Sequence, residues 1–307
     1  MQYTDCRVVF MGTPEFAVAS LNALVEAGCN VVGVVTAPDK PAGRGMQLQQ
    51  SAVKQYAVSK NIPVLQPEKL KAPAFLDELA ALKADLQVVV AFRMLPEVVW
   101  NMPPMGTINV HGSLLPQYRG AAPINWAIIN GESATGVTTF QLQHAIDTGN
   151  MLMQEMIPIT DTMTAGELHD TMKIVGASLL VETIKGLAAG SIQAKPQQDA
   201  ADLKHAPKLF TSNCTIDWHK PVHEVYNLVR GLSPYPGALT HLNGKILKIY
   251  RAEKIMKTVA ETPGTFVSDN QTHIDVACTD GYLRLTEIQL EGKKKMAVSD
   301  FLRGNKI

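Results

Sequence analysis

The stretch GTINVHGSLLPQYRGAAP occupies residues 106–123. Its first part reads as a strand over 106–111, ended by Gly112. Side chains alternate along a strand, so Thr107, Asn109 and His111 share one face and Ile108 and Val110 take the other. Two strongly polar side chains at the carboxyl end of an apolar strand need a reason. A single buried histidine is ordinarily a hydrogen-bonded core residue. Here the neighbouring asparagine, the strand-end position and the small-residue turn that follows point to a site. Open α/β sheets place their sites at the carboxyl ends of strands.

The flanking sequence supports that kind of sheet. RVVFMG (7–12), VVGVVT (31–36) and DLQVVVAF (85–92) are continuous apolar runs. Between them, residues 13–28 show helical spacing, with Thr13 as a possible cap, Pro14 at the first helical position and Gly28 as the stop. SAVKQYAVSKN (51–61) reads as a further helix. Continuous apolar strands alternating with helices imply a parallel sheet covered on both faces. The fold class expected is therefore α/β, a Rossmann-like, doubly wound, mostly parallel sheet. TGVTTFQLQ (135–143) and NMLMQEMIPI (150–159) read as an antiparallel pair closing it. Residues 164–190 form a long helix opened by a capping box, Thr164 with Glu167. Residues 191–208 are polar and without period, and read as a linker.

From about residue 209 the pattern is β-rich. Asn243-Gly244 and Asp280-Gly281 each lie between strand-like runs and are strong hairpin signals. KPVHEVYNLVRGL supplies one helix. The expectation is a second, smaller β-barrel domain of the oligonucleotide-binding (OB-like) kind. The division expected is residues 1–190 as the catalytic domain, 191–208 as the linker and 209–307 as a basic carboxyl-terminal domain.

The bulk properties narrow the class. The chain has 307 residues, 46% apolar and 18% charged, ordinary values for a globular protein of about two domains. No apolar run approaches the roughly 20 residues of a membrane helix, and MQYTDCRVVFMG does not resemble a secretion signal. The four cysteines are scattered without a CxxC pair, which implies reduced thiols and a cytoplasmic location. Net charge is zero overall, yet residues 1–203 carry 13 Lys+Arg against 18 Asp+Glu, and residues 204–307 carry 15 against 10. A basic terminal third is consistent with a polyanionic partner. His219 and His223 lack a third ligand at a convincing spacing, and no metal is expected. GxSxG, P-loop and GxGxxG motifs are absent.

The polar pair lacks a carboxylate. HAIDTGNML (144–152) offers Asp147, and the residues alone leave two readings open: a partner for His111, or an Asx turn on Asp-Thr-Gly. An asparagine amide can donate to a developing oxyanion, a contribution of about 3 kcal/mol in comparable sites. A histidine can donate to the same oxygen or shuttle a proton, and an aspartate can fix the ring. These are the parts needed for acyl transfer to an amine without a covalent enzyme intermediate.

NVHGSLLPQYRGAAP followed by DTGNML resembles the signature of the folate-dependent formyltransferases: an Asn-x-His pair, a Ser-Leu-Leu-Pro turn and a downstream Asp. VVFMGTPEFA, the loop TAPDKPAGRGMQLQQS (36–51) and the basic tail from TIDWHKPVHEVYNLVRGLSPYPGA resemble members of that family acting on initiator tRNA. The resemblance spans essentially the whole chain. It implies 10-formyltetrahydrofolate as co-substrate and the α-amine of methionyl-initiator tRNA as acceptor. Asn109, His111 and Asp147 would be catalytic, and Ser113, Leu114, Leu115 and Pro116 would line the folate site. Lys40 and Arg44 of the loop, a stretch too long for a simple connection, and Lys293, Lys294 and Lys295 of EGKKKM would contact tRNA phosphates. A monomer is expected. One departure is visible: where the family often has Tyr-Gly after its fourth strand, this chain has Phe92-Arg93.

Overall fold

RVVFMG forms the strand Arg7–Gly12, with Val8, Val9, Phe10 and Met11 fully buried. Leu86–Val90 is buried at every position. Such continuous burial is what helices on both faces of a parallel sheet require. The computed structural model describes residues 1–42, 47–198 and 201–307. They divide into two units: Met1–Arg119 with Gly136–Ile157 and Thr171–Lys204, and Gly120–Thr135 with Pro158–Asp170 and His205–Ile307.

The first unit is built on a seven-stranded sheet. Its spatial order is Met151–Pro158, Ala134–Gln141, Thr107–His111, Leu86–Val90, Arg7–Gly12, Asn30–Val35 and Val64–Leu65. The last five run parallel. Ala134–Gln141 is antiparallel to Thr107–His111, pairing Asn109 with Phe140 and His111 with Thr138. The chain leaves Arg7–Gly12 towards one edge and returns on its other side through Leu86–Val90. That change of direction opens a crevice at the strands' carboxyl ends. Gly12 lets the first helix approach: a Cβ there would lie 2.7 Å from the Ala17 Cβ and 2.9 Å from the Val90 carbonyl oxygen. That helix spans Glu15–Glu26 with Pro14 as its N-cap and no side-chain cap. Neither Thr13 as cap nor Pro14 as first helical residue holds, because Pro14 keeps an extended ψ of 172°. The next helix, Ala52–Ser59, is capped by the Ser51 hydroxyl, which accepts from the Lys54 amide.

The tract read as a linker is partly structural. Met151 and Lys195 exchange two backbone hydrogen bonds of 2.8 Å, and the Tyr118 amide donates to the Lys204 carbonyl at 2.7 Å. Residues through Lys204 therefore belong to the first unit. One of its polar side chains, Gln197, serves hydrogen bonds to other loops.

The second unit contains an antiparallel sheet ordered Ala238–Leu242, Lys245–Ile255, Tyr282–Leu290, Ile274–Ala277 and Phe266–Ser268, with Met296–Ala297 also pairing on Tyr282–Leu290. It is a partly open half-barrel. Asn243 and Gly244, at φ 50° and 78°, make the tight hairpin turn expected of Asn-Gly. Asp280-Gly281 behaves differently. The connection spans four residues, closed by Cys278 donating to the Gly281 carbonyl, and the Asp280 carboxylate accepts from the Val222 amide at 2.7 Å. The turn residue thereby caps the helix Val222–Gly231. Val222, Val225 and Val229 of that helix pack on Leu247, Ile249, Leu283 and Leu285 of the sheet. All four cysteines are free and buried, and burial pushes the Cys278 thiol up to about 12.

The long helix Ala165–Ala189 opens on the capping box its sequence implies. The Thr164 amide donates to Glu167 at 2.7 Å, and the Glu167 amide donates to the Thr164 hydroxyl at 3.3 Å. The Thr164 amide first, then the Arg251 guanidinium, hold the Glu167 carboxyl below the usual carboxylate range. Thr164→Ala should cost about 1 kcal/mol, the scale of a lost N-cap, read in urea denaturation. The Glu167 contribution is complete above the unfolded carboxylate value of about 4.3 and is lost as pH falls through the lowered folded value. Wild type should therefore lose more stability than Glu167→Gln on acidification through that window.

Candidate active site

The strand Thr107–His111 ends where the crevice opens. Ile108 and Val110 are buried on one face. On the other, the Thr107 hydroxyl donates to the Trp100 carbonyl at 2.6 Å, which anchors the strand's start. Asn109 is half-buried, and its side chain makes no hydrogen bond among the described residues. His111 is 8% exposed, with its ring edge-on to Phe140 at 6.3 Å.

Both imidazole nitrogens face oxygen atoms. Nε2 lies 2.9 Å from the Tyr118 carbonyl oxygen, and Nδ1 lies 3.9 Å from Asp147 Oδ2. A carbonyl can only accept, so Nε2 carries a hydrogen, and Nδ1 is the nitrogen left to give or take a proton. The Asp147 separation is an ion-pair distance, longer than a hydrogen bond. Asp147 sits in the loop between the two antiparallel strands with φ 54°. The structure thus brings the Asp147 carboxylate to His111. Its loop is held by two bonds from a side chain the sequence did not single out. Gln197 Nε2 donates to the Asp147 and Gly149 carbonyls, each at 2.8 Å, and Gln197 Oε1 accepts from Arg119 Nε at 2.9 Å. No periodicity or motif marks Gln197, which lies in the polar tract. Gly149 is required by space, since a Cβ there would meet the Gln141 carbonyl oxygen at 1.6 Å.

The Ser113–Pro116 turn is fixed from beneath. The Thr138 hydroxyl donates to the Ser113 carbonyl at 2.7 Å, and accepts from the Leu115 amide at 3.1 Å and from Gln154 Nε2 at 2.9 Å. The Ser113 hydroxyl, fully buried, donates to the Gln117 carbonyl at 2.6 Å. Leu115 is also buried, while Leu114 and Pro116 are half-buried. Of the four residues, only Leu114 and Pro116 therefore present side-chain surface. Leu114 packs over Gly136, where a Cβ would lie 2.5 Å from its Cδ2. Phe92 packs against the core beside Leu95 and Val99, and Arg93 donates to the Glu68 and Pro67 carbonyls. At these two positions the Arg93 side chain ties the segment after Leu86–Val90 to the backbone of Pro67 and Glu68.

The basic residues are dispersed. Lys40 is exposed on a short strand, Lys40–Ala42, paired with Gln47–Gln49. Arg44 lies outside the described residues. At the base of that loop Asp39 is bound by Lys54 Nζ at 2.5 Å and Gln66 Nε2 at 2.8 Å, which together hold its carboxyl below the usual range. Lys293, Lys294 and Lys295 are exposed in the turn before Met296–Ala297. Lys295 reaches back to Glu287 at 3.1 Å, while Lys293 and Lys294 make no ion pair among the described residues.

A half-buried amide, an imidazole and a carboxylate are the kinds of group that transfer of a small acyl unit calls for. Residues 6–184 match the family model described as Formyl transferase, and residues 208–306 match Formyl transferase, C-terminal domain. The chain belongs to the formyl transferase family. It is 58% identical to the methionyl-tRNA formyltransferase of Parabacteroides distasonis, covering 100% of this chain and 98% of that protein. The protein of the same name from Bacteroides thetaiotaomicron is 52% identical over 99% of this chain and 97% of its own. A solved N-formyltransferase from Helicobacter canadensis, in complex with folinic acid and dTDP-3-aminofucose, superposes with a TM-score of 0.70 at 20% identity, over 95% of this chain and 100% of that one. HypX from Aquifex aeolicus in complex with tetrahydrofolic acid gives 0.66 at 18% identity, over 96% of this chain and 46% of that one. These two solved structures share the fold. Among the described residues no helix is long and apolar enough to cross a membrane.

Thr138 offers a direct test of the turn. Thr138→Val keeps the shape but leaves the buried Leu115 amide and Ser113 carbonyl without that partner. The expected cost is about 2–3 kcal/mol, measured by chemical denaturation.

Proposed function

We propose that this chain transfers the formyl group of 10-formyltetrahydrofolate to the α-amino group of methionyl-initiator tRNA, acting as a cytoplasmic monomer. Support comes from the full-length similarity to methionyl-tRNA formyltransferases. The observation that carries the reading is the strand-end pair Asn109 and His111, with Asp147 at 3.9 Å from the ring.

The chemistry follows from those groups. The neutral amine attacks the formyl carbon and a tetrahedral oxyanion forms. Asn109 donates to that oxygen from an amide that no acceptor occupies among the described residues. The Nε2 hydrogen of His111 is engaged by the Tyr118 carbonyl, so the ring serves through Nδ1, with Asp147 beside it. The amine proton leaves by way of the Nδ1–Asp147 pair. Collapse breaks the bond between the formyl carbon and the folate nitrogen, which takes up a proton. The product is N-formylmethionyl-tRNA with tetrahydrofolate. No covalent enzyme intermediate is needed, and no cysteine or GxSxG serine is at hand to form one. Leu114 and Pro116 line the folate site with side-chain surface, and Ser113 and Leu115 shape its turn from within. Lys40, Arg44 and Lys293–Lys295 contact tRNA phosphates.

Incubation with 10-formyltetrahydrofolate should formylate methionyl-initiator tRNA and leave free methionine unmodified; formylation of the free amino acid alone would refute the reading. Asp147→Asn should lower turnover by at least about 100-fold, and an unchanged rate removes Asp147 from the mechanism. Arg44→Ala should raise KM for tRNA most at low salt, with a shallower rise of KM with salt than in wild type because one phosphate contact is lost, while KM for the folate stays constant.

A further inference from the structure

The two oxygen atoms facing the His111 ring come from loops far apart in sequence, and one side chain ties those loops together. The Tyr118 carbonyl faces Nε2. The next residue, Arg119, donates through Nε to Gln197 Oε1 at 2.9 Å. Gln197 Nε2 donates to the Asp147 and Gly149 carbonyls at 2.8 Å each. The Asp147 carboxylate then faces Nδ1 at 3.9 Å. The contacts close a ring that begins and ends on the imidazole.

Two features show that this ring works against local preference. Tyr118 and Asp147 both have left-handed backbone, at φ 60° and 54°, a region that residues with a Cβ enter at a cost. Both conformations persist because surrounding bonds determine them. Gln197 supplies one of those bonds at Asp147 itself and a second at Gly149, two residues on. Either side of it, the same segment is anchored by backbone bonds, Lys195 to Met151 and Lys204 to Tyr118. Gln197 is therefore held by its own chain, and its amide is oriented by Arg119. A glutamine suits the position: it donates twice from one nitrogen while accepting once on its oxygen. A carboxylate would present only acceptors to two carbonyls.

Resting on the catalytic reading above, we propose that Gln197, oriented by Arg119, is a positioning residue for the formyl transfer. It sets where the Asp147 carboxylate stands against His111 Nδ1, and couples that placement to the carbonyl that holds Nε2. Neither side chain need touch a substrate. The expected signature is a loss in the chemical step with substrate binding kept.

The experiment uses the full-length enzyme, 10-formyltetrahydrofolate and methionyl-tRNA in single-turnover and steady-state assays. Gln197→Ala should slow formyl transfer by roughly 10- to 100-fold, the scale of a misplacement of about 1 Å. KM for each substrate should move by less than about threefold. Gln197→Glu should lose as much, since it keeps the oxygen for Arg119 and loses both donors; it also serves if the alanine variant does not fold. In an Asp147→Asn background, Gln197→Ala should cost less than about twofold more, because both act through one carboxylate. A wild-type rate in Gln197→Glu overturns the proposal, as does an undiminished loss in the Asp147→Asn background or a raised KM with unchanged chemistry. Full turnover by Asp147→Asn alone would instead remove the catalytic reading beneath it. A slow Asp147→Asn with a normal Gln197→Ala removes only the positioning role.

Discussion

The rest of the site depends on one arrangement: an imidazole at a strand's end, nearly out of contact with water, with an oxygen at each nitrogen. A polar ring so placed loses its hydration and must be repaid by protein groups. Those groups fix its rotation and tautomer more firmly than packing alone. The Tyr118 carbonyl decides which nitrogen bears the hydrogen, and Asp147 decides what the other can exchange with. Asn109, two residues back on the same face, is half-buried with an amide that makes no hydrogen bond among the described residues.

The sheet makes that arrangement possible. Parallel strands buried on both faces leave polar side chains one outlet, their carboxyl ends. The added antiparallel strand Ala134–Gln141 runs against Thr107–His111. Its far end lies beside the start of that strand, with Gln141 opposite Ile108, and the following loop turns back to bring Asp147 to His111. Meanwhile Thr138, opposite His111 in the pairing, turns its hydroxyl to the Ser113–Pro116 turn. One strand supplies a support for the turn and the route to the carboxylate. Close approach at both its ends excludes side chains, which is why residues 136 and 149 are glycine.

What was legible in the sequence follows a physical pattern. RVVFMG and DLQVVVAF could be read because burial on both faces leaves a continuous apolar run. Thr164 with Glu167, and Asn243-Gly244, could be read because their bonds are local and spacing alone encodes them. The Asn109–His111 face is legible from alternation, and the nearness of Asp147 to His111 is implied only through family resemblance. Asp280 lies in the hairpin its sequence implies, but its helix-capping bond is not legible there because it reaches back to Val222, 58 residues away. Gln197 was invisible for the same reason: its partners lie 50 and 78 residues away.

The polar tract around Gln197 exposes a general weakness in reading composition. A segment rich in Gln, Lys and Ala without period meets the description of a linker. Yet its side chains are the kind that satisfy stray backbone carbonyls, and loops in left-handed conformations at active sites carry such carbonyls. Two loops cannot face one imidazole from opposite sides without something spanning them, and apolar side chains cannot bond to carbonyls. The span must be made of residues that look unstructured on paper. In a site built from loop ends, the stretch with the weakest sequence signal is therefore a reasonable place to look for the groups that hold the chemistry in register.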